Sequence, residues 1–386
     1  MLSALPHSHP HGQHVLDFCR DVPKSEMHLH IEGTLEPELV FELAKRNGVA
    51  THLPTVEDMK RALDFKNLQQ FLDLYYAACS CLLHEQDFFD MTWAYCVKAS
   101  SQNVRHAEIF FDPQTHTERG VAFSVVITGI SRALEQAKRE LGMTSALIMC
   151  FLKHLSGDDS IRTLEESLPF KDHITAVGLD STEIGNPPSK FKAVYDLARA
   201  EPYNYRCVSH CGEEGPRGDY TEETIIGDMW KTLELLKVER IDHGIQSLRS
   251  PELIKHLSEK RIPLTVCPFS NVRLRAVDKL EDHPLKKMMD SGLLVSINSD
   301  DPAYFGGYCG DNYLGVALAL QLGLADMAEL AANSWESSFL PAVAKGARIG
   351  DVAQVAERYA KTEEERSGVE KVLERGKRIG AVAIAN

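Results

Sequence analysis

The sequence predicts an α/β chain closed into a (β/α)8 TIM barrel, with a helical insert after strand one and extra helices at the C-terminus. Three observations carry this. Eight short apolar runs recur along the chain, segments of helical period separate most of them, and polar side chains collect where several runs end. The runs are 25–31, 104–111, 145–152, 174–180, 206–210, 239–243, 263–267 and 293–299. Amphipathic segments at 35–47, 123–140, 189–200 and 252–260 fit the intervening helices. Residues from about 50 to 100 form a long helical insert placed to cover the barrel mouth, and the chain from about 326 reads as helices packed outside. An open doubly-wound sheet is the rival architecture, but no G-x-G-x-x-G follows the first strand. Residues 1–14, with Pro, Ser, Gly and His7, His9, His11 and His14, read as an unstructured tail; residues 15–386 read as one domain.

Composition narrows the function. The 386 residues are 44% hydrophobic and 25% charged, ordinary values for a globular core. A formal net charge of −14 with no local basic cluster excludes a broad nucleic-acid face, so a small, uncharged or cationic substrate is expected. The nine cysteines have no repeated C-x-x-C spacing and read as small core residues in a reducing compartment. No signal peptide or membrane-spanning run is visible, and a cytoplasmic protein with no membrane partner is the expectation.

The chemistry lies at the strand ends. His28 and His30 are i and i+2 on strand one, so both imidazoles face one side and can share a divalent ion. The pattern H-x-H alone does not establish a ligand pair. His210 ends strand five with Glu213 three residues on, an arrangement that suits a metal-activated water and a proton-shuttling carboxyl group. Gly212 lets the chain approach closely. At the end of strand six, one of Asp242 and His243 must face the axis and the other the helices. An inward His243 would orient or deprotonate a water, or stabilise developing negative charge. Asp300 and Asp301 end strand eight, where two buried carboxylates would repel unless a cation intervened. Asp300 as metal ligand and Asp301 as a contact to substrate or water is the natural division. Each cluster alone has a plain structural explanation, such as a solvated turn or a helix N-cap. A barrel aims all four at one mouth, which makes His28, His30, His210 and Asp300 a coherent ligand set. His106 and Glu108 match half of another zinc signature, but the required P-C-x-x-C is missing, so they read as alternate residues of strand two.

The motifs M-H-L-H-I-E-G-T-L (27–35), S-H-C-G-E-E-G-P (209–216), R-I-D-H-G (240–244) and S-I-N-S-D-D-P (296–302) together resemble the adenosine and adenine deaminase family of metal-dependent amidohydrolases. The resemblance runs from about residue 22 to 340. It implies one zinc ion held by His28, His30, His210 and Asp300, and a purine substrate. It further implies that Glu213 protonates purine N1, that His243 assists the attacking hydroxide, and that Asp301 bonds the hydroxide or N7 and helps the amine leave. Hydroxide addition at C6 then expels ammonia. The runs F-F-D-P-Q-T-H (110–116), G-L-D-S-T-E-I-G-N-P-P-S-K-F (178–191), V-C-P-F-S-N (266–271) and D-D-P-A-Y-F-G-G-Y (300–308) are closer to the adenine branch. Glu183 stands where nucleoside deaminases carry a glycine against the purine; its carboxylate is expected to bind the N3/N9 edge of a free base and crowd out a ribose. Cys211 replaces a common alanine, a silent exchange. The alternatives are the same chemistry on adenosine or an N6-modified nucleotide, a barrel phosphoesterase or amidase, or a purine-binding protein without activity.

Overall fold

In the computed structural model, residues 5, 8–65 and 68–382 are described. Eight parallel strands run in the order β1 to β8: β1 (Lys24–His30), β2 (Val104–Phe111), β3 (Thr144–Leu152), β4 (Ala176–Asp180), β5 (Arg206–Cys211), β6 (Arg240–His243), β7 (Leu264–Val266) and β8 (Val295–Ile297). Each run predicted as a strand overlaps one of them, with ends that differ by no more than two residues. The ring closes where the backbone beyond β8 meets β1. His30 N donates to Asp300 O at 3.0 Å and Asp300 N donates to His28 O at 3.1 Å. Parallel strands buried on both faces need apolar side chains on both, and β1, β4 and β6 are buried throughout. Inside the barrel Phe110, Ile148, Cys150, Ala176 and Val208 form a separate apolar layer below the mouth.

The insert holds three helices, Val56–Ala62, Leu68–Cys79 and Glu85–Ser101. Thr55 caps the first, its side chain accepting from Asp58 N. Helix Leu68–Cys79 lies over the barrel mouth. At the C-terminus, Leu324–Ser337, Ala342–Tyr359 and Glu363–Val382 pack together outside the barrel. The last two come so close that a Cβ on Gly346 would sit 2.7 Å from Gly376 O, so glycine is required there.

The expectation of a free N-terminal tail is corrected over its second half. His9 is buried, with Nε2 3.0 Å from Ala317 O, and His14 Nε2 lies 2.8 Å from Glu365 Oε1. Helix Gln13–Asp21 already begins inside the stretch assigned to the tail. The polar composition hid these contacts because each partner is more than 300 residues away. His7 lies outside the described residues. All nine cysteines are buried and unpaired, and no described helix is long and apolar enough to cross a membrane.

Candidate active site

The barrel's closing seam carries three of the four expected ligands. His28 and His30 project from β1, and Asp300 is fixed against them by the two backbone bonds of the seam. His210 comes from β5 across the axis. The nitrogens facing the centre are all Nε2. His30 Nε2 is 3.1 Å from His210 Nε2, and Asp300 Oδ1 is 3.2 Å from His28 Nε2 and 3.5 Å from His30 Nε2. Donors bound tetrahedrally at about 2.0–2.1 Å would stand roughly 3.3 Å apart, so these four side chains fit a tetrahedral cation. His28 Nε2 is buried without a hydrogen-bond partner among the described residues, as a metal-directed lone pair would be. Burial, followed by the charges of His28, His30 and His243, pushes His210 well below the usual imidazole range. Burial works against the Asp300 carboxylate, but the imidazoles of His28, His243 and His30 outweigh it and keep it ionised.

Two other groupings of metal-binding side chains share this mouth: His28, His243, Cys267 and Asp300, and His30, Asp112 and Asp180. In the first, burial and then Asp300 hold the Cys267 thiol protonated, which makes it a poor ligand. The second offers only three donors. The set named from the sequence fits a tetrahedral ion best.

Around the centre stand the proton-handling groups. His243 Nε2 is 3.4 Å from Glu213 Oε2 and 3.7 Å from Asp300 Oδ2. Burial, with further push from Asp300, Glu183 and Glu214, raises Glu213 well above a normal carboxyl, which favours its protonated form. Asp301 is raised in the same way, by burial and by the adjacent Asp300. Gly33 makes room for it: a Cβ there would collide with the Asp301 carboxylate.

The strict alternation expected at the end of β6 is corrected. Both Asp242 and His243 turn into the barrel, because His243 takes a left-handed backbone (φ 68°) that rotates its side chain back toward the axis. Asp300 does the same at φ 66°, which lets Asp300 and Asp301 serve one site.

Glu183 does not sit where the sequence placed it. Its carboxylate accepts from the backbone N–H groups of Gly212 (2.8 Å), Glu213 (2.8 Å) and Glu214 (3.3 Å) and from the Tyr220 hydroxyl (3.2 Å). Glu214 returns the clamp, accepting from Glu183 N at 2.8 Å and Ile184 N at 3.3 Å. Glu183 is therefore spent on holding the loop that carries Glu213 and is absent from the cavity wall. The decoy pair is explained as well: His106 and Glu108 sit together at the barrel floor, where Glu108 meets Arg240.

A cavity opens over the centre. Phe71, Leu72, Tyr75 and Tyr76 of the insert roof it, and Asp112 and Asp180 line the side by His30. Asp180 Oδ2 lies 3.5 Å from His30 Nδ1, and Asp112 Oδ2 accepts from the Tyr75 hydroxyl at 3.2 Å. Sequence reasoning missed these carboxylates as site residues. The signal was present: each is an aspartate closing a β-strand, in 110–116 and 178–191, which marked only the sub-family.

The fold and the site define a barrel enzyme with a candidate His/Asp metal centre. The adenosine deaminase family model matches residues 23–355, and the chain belongs to that family. The adenine deaminase of Chlorobium phaeobacteroides (strain BS1) is 54% identical over 324 residues, 84% of this chain and 93% of the relative. That of Acinetobacter baylyi is 48% identical over 339 residues, 88% of this chain and 99% of the relative. Among solved structures, adenine deaminase from Arthrobacter aurescens superposes with a TM-score of 0.82 at 45% identity, covering 87% of this chain and 99% of that one. An amidohydrolase from Burkholderia ambifaria, solved with bound Zn, shares the fold at a TM-score of 0.81 and 23% identity, covering 91% and 97%.

Proposed function

We propose that this chain hydrolyses adenine to hypoxanthine and ammonia with one zinc ion held by His28, His30, His210 and Asp300, serving purine salvage in the cytoplasm. The observation that carries the chemistry is Glu213, paired with His243 at 3.4 Å, beside a four-donor His/Asp cluster. The identity of 48–54% to adenine deaminases over most of the chain carries the substrate. Three histidines and a carboxylate suit zinc among the common divalent ions. When bound, the ion supplies a Lewis acid that makes hydroxide available from water near neutral pH.

The chain's own residues do the rest. Glu213 delivers its proton to purine N1, which draws electron density from C6 and opens that carbon to attack. Neutral His243, within 3.4 Å of Glu213, orients the attacking water and takes its proton. Asp301, with Oδ1 buried and without a hydrogen-bond partner among the described residues, hydrogen-bonds N7 and passes a proton to the departing amine. The C6–N6 bond breaks, ammonia leaves, and the oxygen remains as the 6-oxo group.

The test is ammonia release by the zinc-loaded protein from adenine, adenosine and N6-methyl-AMP, with metal analysis of the purified chain. Adenine is expected to be preferred, with one zinc per chain. Faster turnover of adenosine than of adenine overturns the substrate assignment, and full activity without metal overturns the mechanism.

A further inference from the structure

Behind the ligand histidines lies a buried polar chain that the reaction steps do not use. His28 Nδ1 is 2.9 Å from Thr265 Oγ1, and Thr265 Oγ1 donates to Asp242 Oδ1 at 2.9 Å. Arg240 Nε approaches the same Oδ1 at 3.3 Å, Arg240 Nη1 is paired with Glu108 at 2.5 Å, and Nη2 donates to Met27 O at 3.1 Å. His28, Thr265, Asp242, Arg240 and Glu108 are all fully buried.

The polarity of this chain runs one way. Asp242 Oδ1 is the acceptor for both Arg240 Nε and Thr265 Oγ1. Thr265 has a single hydroxyl proton, and Asp242 takes it. Toward His28 the threonine oxygen can therefore only accept, so His28 must carry its proton on Nδ1. Its Nε2 lone pair is then left for the cluster with His30, His210 and Asp300. Asp242 lies behind a second ligand too. Its Oδ2 is 3.9 Å from His210 Nδ1, and neither atom has a hydrogen-bond partner among the described residues.

We propose that Thr265 and Asp242 are positioning residues for the metal, with Asp242, held by Arg240, acting through Thr265 to fix the tautomer and ring orientation of His28. A metal-binding imidazole gains basicity and a fixed ring plane when its other nitrogen donates to a carboxylate or to a group that such a carboxylate polarises. Here the donation is relayed, and the hydroxyl of Thr265 is the link that makes it directional. The inference rests on reading His28 as a metal ligand.

The experiment measures zinc affinity of the full chain by competition with a chromophoric chelator, for the unmodified protein, Thr265→Val and Thr265→Ser. Thr265→Val keeps the shape and removes the acceptor; it is expected to weaken zinc binding by about 10–100-fold. Thr265→Ser keeps the hydroxyl and is expected to stay within about threefold. Thr265→Val leaves two buried hydrogen bonds unmade and should lower the metal-free unfolding midpoint modestly, so affinities are compared at a temperature where all three proteins are folded. A valine variant that binds zinc as well as the unmodified chain overturns the proposal, as does a serine variant weakened as much as valine. Nitrogen NMR of the zinc-loaded unmodified protein gives a readout that needs no variant. His28 should show a protonated Nδ1, and a bare Nδ1 overturns the proposal. Failure of the unmodified chain to bind zinc would instead refute the metal site itself, so the two failures are distinguishable.

Discussion

The floor and the mouth of the barrel are both lined with buried ionisable side chains, and they handle them in opposite ways. At the floor, Arg240 meets Glu108, Asp242 and a main-chain carbonyl, while Glu108 also receives Phe339 N and contacts His106. At the mouth, both Asp180 oxygens, Asp301 Oδ1, Glu213 Oε1 and His28 Nε2 are buried with no hydrogen-bond partner among the described residues. Buried polar groups in a fold are paired with one another or left for a ligand. The floor therefore reads as architecture, and the mouth as a place that cation and substrate complete, the division a (β/α)8 barrel favours. The Thr265–Asp242 chain joins the two zones.

The contrast breaks most sharply at Glu213. Glu213→Gln keeps the shape and removes the transferable proton, so kcat/KM for adenine should fall by about 10²–10⁴, with zinc content unchanged. Loss of zinc along with activity would show that Glu213 belongs to the ligand set. At the floor the effects reverse in kind. Arg240→Met strands Glu108 and Asp242, and denaturant unfolding should register a loss of about 3–5 kcal/mol. A stable Arg240→Met protein would remove the distinction between the zones.

Acid tests the floor separately. Burial opposes ionisation of Glu108, but Arg240 and His106 outweigh it and hold its carboxyl down to about 2, against 4.5 unperturbed. A depressed folded pKa contributes stability that is present above about 4.5 and lost as pH falls toward about 2. That contribution is on the order of 3 kcal/mol. Unfolding midpoints measured over this window should fall less steeply in Glu108→Gln than in the unmodified protein. Equal slopes would mean that the Glu108–Arg240 pair does not govern acid stability.

The smallest effect expected is at Glu183. Glu183→Gln loosens the clamp under Glu213, lowering kcat about tenfold while leaving the ratio of adenine to adenosine turnover unchanged. A changed ratio would return Glu183 to contact with the base.

The sequence alone determined the eight strands, since alternating apolar and amphipathic runs are local signals, and it determined all four candidate ligands. His28 and His30 share a face because strand periodicity is two, and His210 and Asp300 end runs that a barrel must aim at one axis. Tertiary structure decided what depends on distant partners or on backbone that departs from regular periodicity. The left-handed turns at His243 and Asp300 cancel the alternation on which the reading of 242–243 rested. Glu183 is drawn away from the base by main-chain N–H groups that exist only once β4 and β5 lie side by side. Asp112 and Asp180 meet only when β2 and β4 curve around the same mouth. His9 and His14 are held by residues near the other end of the chain. Residue type and spacing specify which groups can do chemistry; the closed ring decides which of them are left unpaired to do it.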